Sequence, residues 1–188
     1  MKPFFKILLM AVAYLAIFIL GASSGAIHPA CYAYAGAVLP LLFAPVYLNT
    51  WSMIRSFGAA AVLNGFVLIL FLIAGEADTP CIIGLAVLAL LAELIRYLLG
   101  YETRKGVRWS FVPLAFSFFA YSAHWWTDTE GSLAAAVEEM RPGYDQMMIP
   151  VIENIPALVV ALVLTVPVAL LGIRLAERAL KRQAATFR

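Results

Sequence analysis

The residues with the strongest claim to chemistry are two histidines and the side chains near them. His28 and His124 are the only histidines in the 188-residue chain. Neutral imidazole is the commonest protein ligand for metal ions and a usual axial ligand of haem iron, so two imidazoles at one depth can share a ligand if their helices are neighbours. Tyr32 and Tyr34 follow the first histidine closely, and Tyr121, Trp125 and Trp126 surround the second. An aromatic, mostly apolar concavity of this kind suits a flat organic ligand. Glu153 and Asn154 stand just before Pro156, where a kink can open a helix toward a cavity. Each group also has a plainer reading. Interfacial histidines face headgroups or cap helix ends, rings at a membrane boundary form the ordinary aromatic belt, and Glu153 or Asn154 can meet headgroups or a loop.

Cys31 and Cys81 are the only cysteines. Their wide separation fits no zinc-site spacing. A disulfide between them needs an oxidising compartment and Cα atoms within about 7 Å, which the sequence leaves open, and a Cys31 thiolate on iron is a further alternative. No Gly-rich phosphate loop, His-Glu-x-x-His or Gly-x-Ser-x-Gly motif occurs. The chain therefore reads as a non-enzyme without a permanently bound cofactor. Any ATP used on its behalf must be hydrolysed by another polypeptide, unless an ion gradient serves.

The elements positioning these residues are membrane spans. Hydrophobic residues make up 64% of the chain and charged ones 13%, against roughly 25% charged in a soluble domain. A hydrocarbon core of about 30 Å takes about 20 apolar residues in a helix. Six stretches qualify, near residues 5–27, 32–48, 57–74, 81–99, 107–126 and 149–176. The expected fold class is thus an all-α integral membrane protein, one domain over residues 1–188, with six transmembrane helices. The second stretch carries Pro40 and Pro45 and is expected to be kinked or partly re-entrant.

Charge orients this arrangement. Lys2, Lys6, Arg55, Arg96, Arg104, Lys105, Arg108, Arg174, Arg178, Lys181, Arg182 and Arg188 fall on the side of both termini, leaving Arg141 as the exception among thirteen basic residues. The positive-inside rule makes that side cytoplasmic. Glu76, Asp78, Asp128, Glu130, Glu138, Glu139 and Asp145 occupy the opposite side, with His28, Cys31, Cys81, His124 and Glu153. Arg141 either pairs with Glu138 or Asp145, or meets an anionic group on a ligand. The small-residue run Gly21–Ala26 resembles a signal-peptide cleavage region, yet the preceding apolar stretch exceeds the usual 7–15 residues, so the first span is expected to be retained.

The remaining polar features have structural readings. The outer loop, 127–148, holds Leu133, Val137 and Met140 at helical spacing, which predicts a short amphipathic helix over 131–140 ended by Pro142-Gly143. Glu93 and Arg96 are spaced for an intrahelical pair with snorkelling, and Asn64 for a hydrogen bond between helices. The tail from Arg174 reads as a helix extension near anionic headgroups. Nucleic-acid binding has no support beyond those few charges. Trp51 and Trp109 fall nearer the basic boundary.

A resemblance joins these pieces. Gly25-Ala26-Ile27-His28-Pro29, Ala44-Pro45-Val46-Tyr47 leading to Arg55-Ser56-Phe57-Gly58, Ala92-Glu93-Leu94-Ile95-Arg96 with Gly100-Tyr101, the run Ser117–Trp126, the acidic loop and Met148-Ile149-Pro150 occur in this order. The chain resembles the Trep_Strep family of specificity (S) components of energy-coupling factor transporters over nearly its whole length. The resemblance implies a six-helix protein of the bacterial cytoplasmic membrane with both termini in the cytoplasm. Such a subunit captures a micronutrient at the outer face, with a membrane coupling subunit and two cytoplasmic ATPase subunits as partners. The resemblance does not settle the substrate, but some relatives are associated with uptake of haem or iron compounds, and His28 and His124 are compatible with that as candidate iron ligands; the residues themselves give His28, Cys31, Tyr32, Tyr121, His124, Trp125, Trp126, Glu153 and Asn154 as the candidate binding set. S components commonly carry an Ala-x-x-x-Ala contact in the first span. Here Ala11, Ala13 and Ala16 lack that spacing, and Ala22 and Ala26 have it at the outer end. Two other readings remain, a non-catalytic assembly protein and a haem-binding electron-transfer protein.

Overall fold

The computed structural model describes residues 2–186, with side chains through Leu180, so the side chains of Lys181, Arg182 and Arg188 lie outside the described residues. Every regular element among these residues is helical. Helix α1 (Pro3–Ser23) continues into a 3-10 turn at Ser24–Ala26, followed by α2 (Pro29–Tyr34), a second 3-10 turn at Ala35–Ala37 and α3 (Pro40–Met53). Next come α4 (Ala59–Ala74), α5 (Thr79–Leu99), α6 (Arg104–Leu114), α7 (Ser117–Ser122) and α8 (His124–Thr127). The chain closes with α9 (Thr129–Glu139), α10 (Tyr144–Glu153) and α11 (Ile155–Thr186).

Local chemistry sets these boundaries. Pro3, Pro29 and Pro40 open their helices, where the missing N–H has no intrahelical role. Asp78 Oδ1 accepts from Cys81 N at 2.7 Å and Thr103 Oγ1 from Gly106 N at 2.8 Å, capping α5 and α6. Gly143, at φ +81°, supplies the left-handed turn that starts α10.

By length and composition, Pro3–Ala26, Thr79–Leu99 and Ile155–Leu180 can each cross a membrane. Pro29–Ala37 and Pro40–Met53 together make a fourth candidate bent by 44°, a broken span or a re-entrant loop. The expected kink is present, and its position is instructive: the break falls just before Pro40, whereas Pro45 lies inside α3 without ending it. Helix α4 is apolar but only 16 residues long. The fifth predicted stretch is divided among α6, α7 and α8. The last predicted span requires a boundary correction. Residues 149–153 belong to α10 and the long helix starts at Ile155, because Pro156 has no N–H to continue the ladder from Ile152. Apolar side chains such as Leu20, Ile73, Leu90, Leu98 and Val163 point outward along these helices. Such a surface suits lipid, which imposes no cost on exposed apolar groups.

The core is built by α1, α3, α4, α5, α6, α7 and α11. Tyr14, Phe18, Phe43, Tyr47, Leu63, Leu85, Phe111, Phe118 and Ile173 are fully buried there. Asn64 is the polar hub expected between helices. Its Oδ1 accepts from Tyr14 Oη at 3.1 Å and Ser117 Oγ at 3.0 Å, and its Nδ2 donates to the Leu85 carbonyl at 3.0 Å, joining α4 to α1, α7 and α5.

The Glu93–Arg96 pair corrects the snorkelling expectation. Arg96 is 0% and Glu93 1% exposed, and their charges meet at 3.5 Å. Glu93 Oε1 accepts from Ala60 N at 2.7 Å, and Arg96 donates to the Ile54 carbonyl at 3.0 Å while its guanidinium lies over the Tyr101 ring. The pair thus ties the 54–60 connection to α5. Nearby, Arg108 forms a two-pronged bond with Glu177 at 3.0 and 2.6 Å, holding α6 to α11.

Candidate ligand-binding site

A continuous column of rings leads from the core to the acidic end. Phe18 of α1 lies 5.7 Å from Phe118 and 6.3 Å from Tyr121 of α7, between ring centroids. A side chain at Gly21 would strike Phe118. The outer half of the first predicted span and the second half of the fifth are therefore neighbours. Tyr32 continues the column, 5.8 Å from Phe118, 6.2 Å from Tyr121 and 6.2 Å from Trp125, and Trp125 reaches His124 at 4.9 Å and Tyr144 at 6.5 Å.

Two concavities open at the end of this column. One, of about 350 Å³, lies among the end of α1, α2, α7 and the α9–α10 connection; Gly25, Tyr32, Tyr121, Met140, Arg141 and Tyr144 form most of its wall. That volume is within the range of small-ligand sites. The second, of about 450 Å³, is acidic, with Glu76, Asp78, Asp128 and Glu139 beside His124 and Ser132. Tyr121 and Glu139 border both.

The nine residues of the predicted set divide between these walls and the scaffold. Tyr32 and Tyr121 line the first cavity, and Tyr121 and His124 the second. His124 Nε2 pairs with Tyr32 Oη at 3.3 Å and its Nδ1 with Ser132 Oγ at 2.8 Å. Ser132 Oγ also donates to the His124 carbonyl at 3.1 Å. His28 is exposed and lines neither cavity; its Nδ1 accepts from Ala30 N at 3.1 Å and caps α2. The expected joint ligation of one iron by His28 and His124 is therefore not built here: one imidazole caps a helix and the other has both nitrogens engaged.

The other predicted residues serve the frame. Trp126 Nε1 donates to the Ile152 carbonyl at 3.2 Å and Tyr34 Oη to the Val151 carbonyl at 3.0 Å. Both carbonyls are freed where α10 ends, so these side chains satisfy what the Asn154–Pro156 break exposes. Asn154 Oδ1 accepts from Ala157 N at 3.1 Å and caps α11, and Glu153 points outward beside it. Neither lines the two cavities. Trp125 is buried behind Tyr32. Cys31 is an exposed thiol and Cys81 a buried one, both free, so the disulfide considered from sequence is not formed. Among the described residues no cluster of three His, Cys, Asp or Glu side chains fits a metal ion.

Sequence reasoning missed Tyr144 and Gly25. Tyr144 is 2% exposed and its hydroxyl has no hydrogen-bond partner. A Cβ at Gly25 would lie 2.9 Å from that hydroxyl, which places the oxygen against the bare face of the glycine. The available signal was the turn Pro142-Gly143 immediately before an aromatic helix start. Arg141 is exposed and makes no ion pair among the described residues; its guanidinium donates a long hydrogen bond to Met147 Sδ at 4.0 Å. The small pair Ala22 and Ala26 also lines this cavity, which gives that stripe a wall position. The predicted amphipathic helix is present as α9, but its buried positions are Ser132 and Ala136, while Val137 and Met140 are exposed.

No curated protein and no solved structure matches the chain. The family model described as a hypothetical bacterial integral membrane protein (Trep_Strep) matches residues 1–185. With that match spanning nearly every residue, the chain belongs to the Trep_Strep family of bacterial integral membrane proteins.

Proposed function

We propose that this protein is the substrate-capturing S component of an energy-coupling factor importer in the bacterial cytoplasmic membrane. The observation carrying this reading is the cavity of about 350 Å³ at the acidic end, walled by rings from three helices and bordered by the α9–α10 connection. A subunit that collects a scarce nutrient needs such a concavity on the outer face, and the charge sorting favours the acidic end for that face. In this reading α4 and the α6–α7 segment complete six crossings, both termini are cytoplasmic, and a coupling subunit and two ATPases dock from the basic side. The missing nucleotide motif fits that division of labour, and the protein itself is not an enzyme.

The ligand is a small organic micronutrient. Haem remains the candidate raised by the histidines, but binding its iron requires His124 to leave Tyr32 and Ser132. The tyrosine-lined cavity favours a smaller molecule carried without a permanent cofactor. The test is co-expression and purification of the full chain with a coupling subunit and ATPase subunits of an energy-coupling factor complex, followed by ATP-dependent uptake in proteoliposomes. A stable four-subunit complex that accumulates a micronutrient is expected. Failure to assemble with any coupling subunit would overturn the reading, and a stoichiometric redox-active haem would favour the electron-transfer alternative.

A further inference from the structure

We infer that the cavity among Gly25, Tyr32, Tyr121, Met140, Arg141 and Tyr144 is built for one singly charged anionic group, a carboxylate or phosphodiester, on a flat apolar body. This rests on the reading of that cavity as the capture site. Two independent features point to the anion. The first is Arg141, the basic residue on an otherwise acidic face, which lines the cavity and is spent on no carboxylate among the described residues. Its planar guanidinium presents paired donors that match an oxyanion. The second is the Tyr144 hydroxyl, buried without a partner against Gly25. Leaving such a group unbonded is costly, and an acceptor placed in the cavity relieves that cost.

The charge state fits a donor. Burial raises the Tyr144 pKa, and the nearby Arg141 charge opposes this less strongly, so the hydroxyl holds its proton at neutral pH. Tyr32 and Tyr121, packed edge-to-face on each other at 6.2 Å between ring centroids, line the same cavity and supply apolar wall for the ligand body. Glu139 on the shared border and Glu76, Asp78 and Asp128 beyond it set a limit on the other end: a second negative charge there meets like charges. The site therefore selects a monoanion over a dianion. The same chemistry can come from a soluble nutrient or from a lipid headgroup, and the experiment separates the two.

Full-length protein in dodecyl maltoside micelles is titrated calorimetrically with 2-naphthoate, its neutral amide, and 2,6-naphthalenedicarboxylate. Naphthoate is expected to bind about tenfold or more tightly than either competitor. Arg141→Gln, at an exposed position, removes the preference over the amide; Tyr144→Phe, which keeps the ring, weakens naphthoate about tenfold. Equal binding of acid and amide, or a preference untouched by both variants, overturns the inference. Native mass spectrometry from phosphatidylglycerol-containing nanodiscs covers the lipid source. Arg141-dependent retention of phosphatidylglycerol with no naphthoate binding in micelles overturns a soluble ligand. Assembly with the coupling subunit is measured on the same variants, so a failed anion site in a complex that still assembles leaves the transport reading standing.

Discussion

Two buried polar regions of this molecule are built in opposite ways. At the basic end Glu93 and Arg96 sit almost wholly inside protein, and backbone groups from the 54–60 connection complete their bonding, with only Arg96 Nε left over. At the acidic end Tyr144 Oη, Trp125 Nε1 and Ser122 Oγ are all buried without partners. A satisfied network fixes a fold, because every group has already found its acceptor or donor. An unsatisfied one is tolerated where another molecule completes it. The difference marks the basic node as structural and agrees with the proposal that a ligand is captured at the acidic end.

The largest expected effect breaks the satisfied side. Glu93→Ala leaves the Arg96 guanidinium buried beside a lost carboxylate and frees Ala60 N, at a cost of about 3–5 kcal/mol. A fall of roughly 10 °C in the thermal midpoint of the detergent-solubilised protein is the expected readout. Glu93→Leu combined with Arg96→Met removes both charges and is expected to recover most of that loss. If the single and double variants lose equal stability, the pair is not the staple described.

Next is Asn64, whose replacement by Leu removes three hydrogen bonds at once. Bonds between membrane helices contribute about 0.6 kcal/mol each, so a loss near 2 kcal/mol is expected, with ligand binding unchanged apart from that instability. Gly25→Ala sharpens the contrast from the other side. The added methyl meets the far end of the Tyr144 side chain at 2.9 Å and crowds Tyr32 Cβ at 3.3 Å, so a stability loss of about 1 kcal/mol is expected. Naphthoate binding is expected to fall about tenfold as the hydroxyl is pushed aside. A variant that loses stability and keeps binding would reverse the assignment of the two regions.

Much of the fold was legible because it rests on local signals. Apolar runs and the Pro–Gly punctuation located most of the helices, and the spacing of Glu93 and Arg96 gave their pairing. Their burial was not legible, because it depends on the 54–60 connection folding back over α5. The site was partly legible for the same reason. Tyr32, Tyr121 and His124 stand out by type and do line cavities, whereas Trp126, Tyr34 and Asn154 stand out equally and repair a helix break. Sequence shows which residues are unusual, but the choice between ligand contact and backbone repair lies in where α10 stops. Tyr144 and Gly25 are ordinary in sequence and acquire meaning only from facing each other.

The smallest effect concerns the histidine that drew attention first. His28 caps the short helix α2 through Nδ1 and remains exposed. His28→Ala is therefore expected to cost about 1 kcal/mol or less in stability, the ordinary loss of an N-cap, and His28→Asn to restore it. On haemin titration both variants are expected to match the unsubstituted protein, because an imidazole outside the two cavities has no part in the proposed site at Arg141 and Tyr144. A Soret shift that disappears in both variants would move the binding centre from the tyrosine-lined cavity to the outer rim of α2. The Asn variant is informative because it preserves the cap while deleting the imidazole, so helix stability and iron ligation are read separately.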